Sequence, residues 1–336
     1  MIINVFYMMC LLLINPVDNQ EIMSLQELQS SLYVNDCPEI HIEEIIADTS
    51  SNELGYVPVM LYHRIKESDN MYDISPNDFR SNLQRLYEND YVLIDLKDYL
   101  DGIIDIPAGK HPIVFTFDDG DISNYRIIDD GDGNHVMDKE SAIGIMYEFY
   151  LQNPDFGFEA AFFLNGNVPF AQREYTEEKI AFMNDNGLLL CNHTLLHNDL
   201  SSAKNKEEVV ESIISNESYY LNKYQVELVK ILAIPFGTYP EDVSIIDDLG
   251  YSALKVGWRP EVSIFSKKFD NLKINRVQNG DGNFQFDYWM DYLDAHPDEV
   301  FVSDGNINTV TIPLDLLDDI DLDSVGDRKL TTYEVN

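Results

Sequence analysis

The chain has 336 residues, 45% of them hydrophobic and 12% aromatic, so it can bury a sizeable core and is not of disordered composition. Sixty acidic residues against 22 basic ones give a net charge of −38, which repels phosphate backbones and anionic lipid heads and disfavours nucleic acid or an acidic membrane surface as a partner. The length admits one large domain or two ordinary ones, and a neutral or cationic partner suits the charge, with a solvated acidic coat as its plainer explanation.

Residues 1–14, MIINVFYMMCLLLI, form an apolar run too short to span a bilayer. The run suits the h-region of an export signal, although no Lys or Arg precedes Arg64 and no A-x-A site follows. This reading puts the protein outside the cell or at its surface, without stable membrane insertion; a loose apolar tail is the alternative. Residues 15–55 are polar and acidic and read as a linker. Cys10, Cys37 and Cys191 make no disulfide framework. Cys191 lies in an apolar run and reads as a buried thiol, with a Cys37–Cys191 bridge the less favoured option.

From Tyr56 the pattern becomes α/β. VPVMLYH (57–63) reads as a strand. Ser75-Pro76 opens a capped amphipathic helix with apolar residues at Phe79, Leu83 and Leu86. YVLIDL (91–96) and HPIVFTF (111–117) are strands, separated by a short helix. The Asp- and Gly-rich stretch 129–138 is a loop; it lacks the glycine and closing glutamate of a calcium-binding loop. Helices over 139–153, 176–187, 206–224 and 240–250 then alternate with strands over 160–166, 188–192, 230–237 and 251–257. Such alternation predicts a mainly parallel sheet with helical crossovers. The acidic tail after Pro313 reads as loosely held.

Chemistry-bearing residues gather at the C-terminal ends of these strands, where α/β folds place their sites. They are His63, the pair Asp118-Asp119, His193 with His197, and Pro235-Phe236-Gly237. Two histidines four apart plus a carboxylate suit Zn²⁺ or a similar divalent ion and leave a coordination position open. Alone, an HxxxH is more often a surface pair and a DDG an acidic turn; together at strand ends they weigh more. Strand alternation sends adjacent Asp118 and Asp119 to opposite faces, and a nearby cation would relieve their repulsion.

TFDDG (116–120), HTLLH (193–197) and PFG (235–237) resemble, in order and spacing, the first three motifs of the polysaccharide deacetylases, carbohydrate esterase family 4. The resemblance runs over residues 56–313. It implies a distorted (β/α) barrel and a metal-dependent hydrolase removing N-acetyl groups from an N-acetylglucosamine-containing polysaccharide or cell-wall glycan. By motif it implies Asp119, His193 and His197 as metal ligands, Asp118 as general base and the Phe236 N–H, after Pro235, as oxyanion donor. Many members carry an arginine two residues before that proline, where this chain has Ala233; Arg276 is the expected substitute, a surface charge being the alternative. No C-terminal histidine motif supplies the general acid. His296 lies among loop residues and fits poorly, so His63 is the expected acid, against a satisfied core histidine. Trp258, Tyr288 and Trp289 are candidate sugar platforms, although core packing is commoner for such residues. An O-acetyl esterase and a catalytically inactive glycan-binding module are the alternatives.

Overall fold

In the computed structural model residues 51–68 and 70–335 are described. The N-terminal apolar run and most of the expected linker, with Cys10 and Cys37, lie outside the described residues. Cys191 is a buried free thiol.

In chain order the strands are β1 (Val59–Tyr62), β2 (Arg64–Ile65), β3 (Asp73–Ile74), β4 (Tyr91–Leu93), β5 (His111–Phe117), β6 (Ile127–Asp129) and β7 (His135–Met137). They continue with β8 (Ala161–Leu164), β9 (Leu189–Asn192), β10 (Val229–Ala233), β11 (Ser252–Leu254), β12 (Val277–Gln278), β13 (Thr309–Pro313) and β14 (Lys329–Tyr333). The helices are α1 (Pro76–Glu88), α2 (Leu96–Leu100), α3 (Ala142–Gln152), α4 (Thr176–Asp185), α5 (Lys206–Tyr224), α6 (Ser244–Asp248), α7 (Phe286–Ala295) and α8 (Leu322–Val325). Helix α1 starts as its sequence dictates. Ser75 caps it by accepting from the Asp78 N–H, Pro76 occupies the first turn, and Phe79, Leu83 and Leu86 form its buried stripe.

The main sheet is wholly parallel, in the order β11-β10-β9-β8-β5-β1-β12, with β4 also on β5. Its two edges meet through one short stretch. Leu254 of β11 bridges Ile274 in parallel, and the Lys255 N–H donates to the Ile274 carbonyl at 3.0 Å. Three residues on, Val277 pairs with Met60 of β1. Residues 274–278 therefore bond to both edges, and the sheet becomes the expected distorted (β/α) barrel.

Alternation sorts the strand side chains into two cores. Met60, Tyr62, Phe115, Phe117 and Phe162 pack beneath α1, α3 and α7. The register sets Tyr62 beside Phe117 and Phe117 beside Phe162, and these rings stack at 5.2 and 4.9 Å. Val59, Val114, Phe163, Cys191, Ala233 and Ile274 face the other way, into the barrel. Continuing that interior parity past the strand ends gives His63, Asp118, His193 and Arg276, so one end of the barrel collects them.

Three regions differ from expectation. The stretch 129–138 carries an antiparallel hairpin, β6 on β7. Residues 51–55 do not continue the linker: the Asn52 N–H donates to the Val302 carbonyl at 3.0 Å, and buried Glu53 accepts from the Thr311 N–H at 2.7 Å. The tail after Pro313 is not loosely held. Strand β14 pairs with β13 in parallel, Ile320 and Val325 are buried, and the Tyr333 hydroxyl donates to the Ser51 carbonyl at 2.8 Å. Apolar residues spaced among its aspartates supply a buried face that net charge alone conceals.

Candidate active site and metal centre

Asp118 leaves β5 pointing inward and is almost fully buried. A buried lone carboxylate is costly unless paired and hydrogen-bonded. Its partner is Arg276, wholly buried, whose two terminal nitrogens donate to the two carboxylate oxygens at 2.7 and 2.8 Å. This is the fork-to-fork geometry that fixes a carboxylate in direction as well as in charge. The guanidinium is held by further contacts. Nε donates to the Lys255 carbonyl at 3.1 Å, a terminal nitrogen reaches the Thr116 hydroxyl at 3.3 Å, and the group lies over the Phe163 ring. Burial alone would push the Asp118 carboxyl up, but Arg276, then His193, more than offset it and hold it well below the usual carboxylate range.

Asp119 does not continue the strand. Its φ of 75° lies in the left-handed region, and Gly120 follows at 59°. A Cβ on Gly120 would also sit 2.6 Å from the tip of the Leu164 side chain, which would have to shift, so it is the positive φ that calls for glycine here. This backbone reversal, rather than strand alternation, separates the two carboxylates. It aims Asp119 at the histidines, whose Nε2 atoms both lie 3.6 Å from its Oδ1. The His193 Nδ1–H donates to the Ala233 carbonyl at 2.9 Å, leaving Nε2 as the free lone pair. Thr194 and His197 also have positive φ, at 57° and 52°, which turns the second imidazole back on the first, with ring centroids 4.7 Å apart. Backbone strain of this kind concentrates at functional sites.

One ligand atom from each of Asp119, His193 and His197 falls within 4.8 Å of the others. Ligands about 2.1 Å from a tetrahedral ion stand roughly 3.4 Å apart, so the observed 3.6 Å spacings fit a divalent metal with little movement. The His193 Nδ1 bond supplies the orienting partner that metal-bound imidazoles usually have.

His63 follows β1 one residue beyond the Tyr62–Phe117 pair, beside Asp118. Its ring lies 4.9 Å from that of Tyr72, and its buried Nδ1 has no hydrogen-bond partner among the described residues. Burial lowers its pKa, while Asp118 and then Asp119 push it back up. After β10, Pro235 opens a tight turn in which Phe236 takes φ 59° and sets its 64%-exposed ring edge-on to His197 at 4.5 Å.

Trp258 is not brought to the metal cluster. It lines an open pocket of about 640 Å³ with Phe284 and Trp289, across the Arg276 segment. Tyr288 packs on Phe284 and Trp289. His296 stacks on Tyr292, and its Nδ1–H donates to the Tyr292 carbonyl at 2.7 Å.

Sequence reading missed Glu261. This buried carboxylate accepts from the Asn275 backbone N–H, from Asn275 Nδ2 at 2.9 Å and from the Val262 N–H at 2.8 Å. It therefore clamps the residue immediately before Arg276. The available signal was a single acid in an otherwise apolar run, PEVSIF. Thr116 was missed too, although it shares Asp118's strand parity; its hydroxyl donates to the Met60 carbonyl at 2.6 Å and accepts from Arg276.

Residues 153–254 match the family model for polysaccharide deacetylase, a span that includes both histidines and the PFG turn. A Bacillus subtilis (strain 168) protein assigned to the polysaccharide deacetylases, YxkH, is 22% identical over 231 residues, covering 67% of this chain and 72% of that protein. Among solved structures, the Streptococcus pyogenes deacetylase PplD in complex with acetate superposes with a TM-score of 0.52 at 18% identity, over 67% of this chain and 93% of that one. IcaB from Ammonifex degensii superposes with a TM-score of 0.50 at 23% identity, over 67% and 92%. At these identities the structures speak for the fold, and the family model for the likeness of residues 153–254. Barrel, motif order and the match over residues 153–254 all liken this chain to the polysaccharide deacetylases.

Proposed function

We propose that this protein hydrolyses the N-acetyl amide of an N-acetylglucosamine-containing polysaccharide or cell-wall glycan, using a divalent metal, Zn²⁺ by the chemistry of its ligands, on Asp119, His193 and His197. The observation that carries the reading is the buried Asp118–Arg276 pair set beside that ligand cluster. When bound, the ion supplies Lewis-acid polarisation and makes water available as a nucleophile near neutral pH. Asp118, kept ionised by Arg276, accepts the proton of the attacking water. The Phe236 N–H, presented by the turn after Pro235, donates to the oxyanion as the carbonyl becomes tetrahedral. His63 gives a proton to the leaving amine, so amide and water become amine and acetate. Its otherwise unpartnered Nδ1 is consistent with an imidazole whose bonding is completed by substrate.

The inactive-module reading rested on Ala233 in place of an arginine, and the Arg276 contact removes that support. An export route through residues 1–14 belongs to the same proposal and would put the enzyme at or outside the cell surface. No helix among the described residues is long and apolar enough to cross a membrane. Acetate release is measured on a panel of N-acetylated oligosaccharides and acetylxylan, before and after chelation and with metal added back. Release from the N-acetylated set, lost on chelation and restored by metal, is the expected result. Release from acetylxylan alone would make the enzyme an esterase, and none from either would sink the reading.

A further inference from the structure

Two basic side chains among the described residues are wholly buried. One is Arg276, the partner of Asp118. The other is Lys179 on α4, and the groups it bonds are uncharged. Its ammonium donates to the Phe170 carbonyl and to Gln172 Oε1, both at 2.9 Å, and stands 5.6 Å from the centre of the Tyr125 ring. Burial lowers the pKa of this group to about 8, against the pull of Glu174 and Glu178. A charge buried on neutral partners is costly, so the contact it makes calls for a reason.

What Lys179 holds is a strained turn. Phe170, Ala171 and Gln172 take φ of 54°, 49° and 44° in succession, whereas residues with a side chain normally enter the left-handed region singly. Both backbone groups of Phe170 are tied. Its carbonyl accepts from Lys179, and its N–H donates to the Gly120 carbonyl at 2.9 Å. Its ring is buried, edge-on to Phe162 at 5.7 Å. Gln172 fastens the far side of the turn to β6, accepting from the Ile127 N–H at 2.9 Å and donating to the Ile127 carbonyl at 2.7 Å.

Gly120 is the second residue of the reversal that turns Asp119 toward His193 and His197. No hydrogen bond from a described residue fixes the Asp119 carboxylate, so its aim depends on that backbone. Phe170 alone stands between the buried ammonium and the ligand turn.

We infer that Lys179 is a positioning residue for Asp119: through the Phe170 backbone it holds the Asp119–Gly120 reversal in the form that sets the carboxylate against the two imidazoles. The inference rests on the reading of Asp119, His193 and His197 as a metal centre.

The test compares full-length wild-type protein with Lys179→Met, which keeps the apolar stem and removes the donors. Val325→Ala, which opens a cavity at a buried residue of α8, serves as the control for lost stability. Zinc affinity is measured by competition with a chelating dye. Amide hydrogen exchange at Phe170 is followed in metal-free protein. Lys179→Met is expected to weaken zinc binding by about tenfold, as loss of an outer support of a metal ligand does, and to speed exchange of the Phe170 amide. Val325→Ala should do neither. Gln172→Met removes one of the two acceptors of the ammonium and should weaken zinc binding in the same direction by less; it decides the matter if Lys179→Met does not fold. Unchanged zinc affinity in folded Lys179→Met, or an equal loss in Val325→Ala, overturns the assignment. The two readings fail separately. Faster Phe170 exchange in Lys179→Met, with no zinc bound by the wild type, keeps the hold of Lys179 on the Asp119 turn and removes the metal centre; zinc binding indifferent to both substitutions at the turn does the reverse.

Discussion

The ligand cluster and the Arg276 strut meet at one carboxylate pair yet are built in opposite ways. Asp119 follows β5 and the two histidines follow β9, two places along the sheet; His193 continues its strand's parity, while local backbone reversals aim Asp119 and His197. Arg276 lies 158 residues from its partner and arrives only because residues 274–278 bond to both edges of the barrel. The first region is specified by short motifs and positive-φ turns, the second by closure of the whole sheet. Substitutions in the two should therefore fail differently.

The largest effect is expected at their junction. Asp118→Asn keeps the shape but accepts no proton, so kcat should fall by about 10²–10⁴-fold. Metal content, measured by elemental analysis, should be unchanged. Loss of metal together with activity would make Asp118 a ligand and merge the two regions.

Arg276→Met tests the strut. It leaves Asp118 buried and unpaired, which costs about 3–5 kcal/mol in comparable buried pairs, read by denaturant unfolding. The pH dependence carries the sign. With Arg276 present the Asp118 carboxyl is depressed, so its contribution to stability is present above the unfolded carboxylate range and is lost as pH falls through the lower folded value. Without the guanidinium, burial dominates and the carboxyl rises. The acid limb of kcat/KM should then move to higher pH, and an unmoved limb would mean that Arg276 does not set the ionisation of the base.

Glu261→Gln should act through the same strut at one remove. An amide there presents a donor to the Asn275 donors, and about 1–3 kcal/mol of stability should be lost. The acid limb should shift in the same direction as for Arg276→Met, by less. In the Arg276→Met background the shift should vanish; an additive shift would separate Glu261 from Arg276.

The smallest effect is local. Gly120→Ala must adopt positive φ and displace Leu164, at a cost of order 1–3 kcal/mol. Metal affinity should weaken while the acid limb stays in place. A moved limb would show that the two regions are not independent.

The same division explains what could be read from the sequence. The helix from Ser75, the strands ending at Phe117 and Asn192, and the TFDDG and HTLLH motifs that bring Asp119, His193 and His197 together were legible because each is written within a few residues. Arg276 could be named only by elimination after Ala233 removed the usual candidate, and Glu261 not at all, since its partner depends on which strands close the sheet. The fate of the two carboxylates was half legible. Alternation accounts for the inward course of Asp118, but Asp119 obeys a left-handed turn that no periodicity announces. The tail was misread because its aspartates dominate composition while Ile320 and Val325 do the packing.

Barrel closure also imposes an order in time. A chain emerging from synthesis presents Asp118 long before residue 276 exists. Asp118 gains its guanidinium partner only when residues 274–278 are laid between the two edges of the sheet. The buried ion pair is therefore a mark of completion: a barrel lacking that last stretch leaves Asp118 without the two bonds that fix its direction.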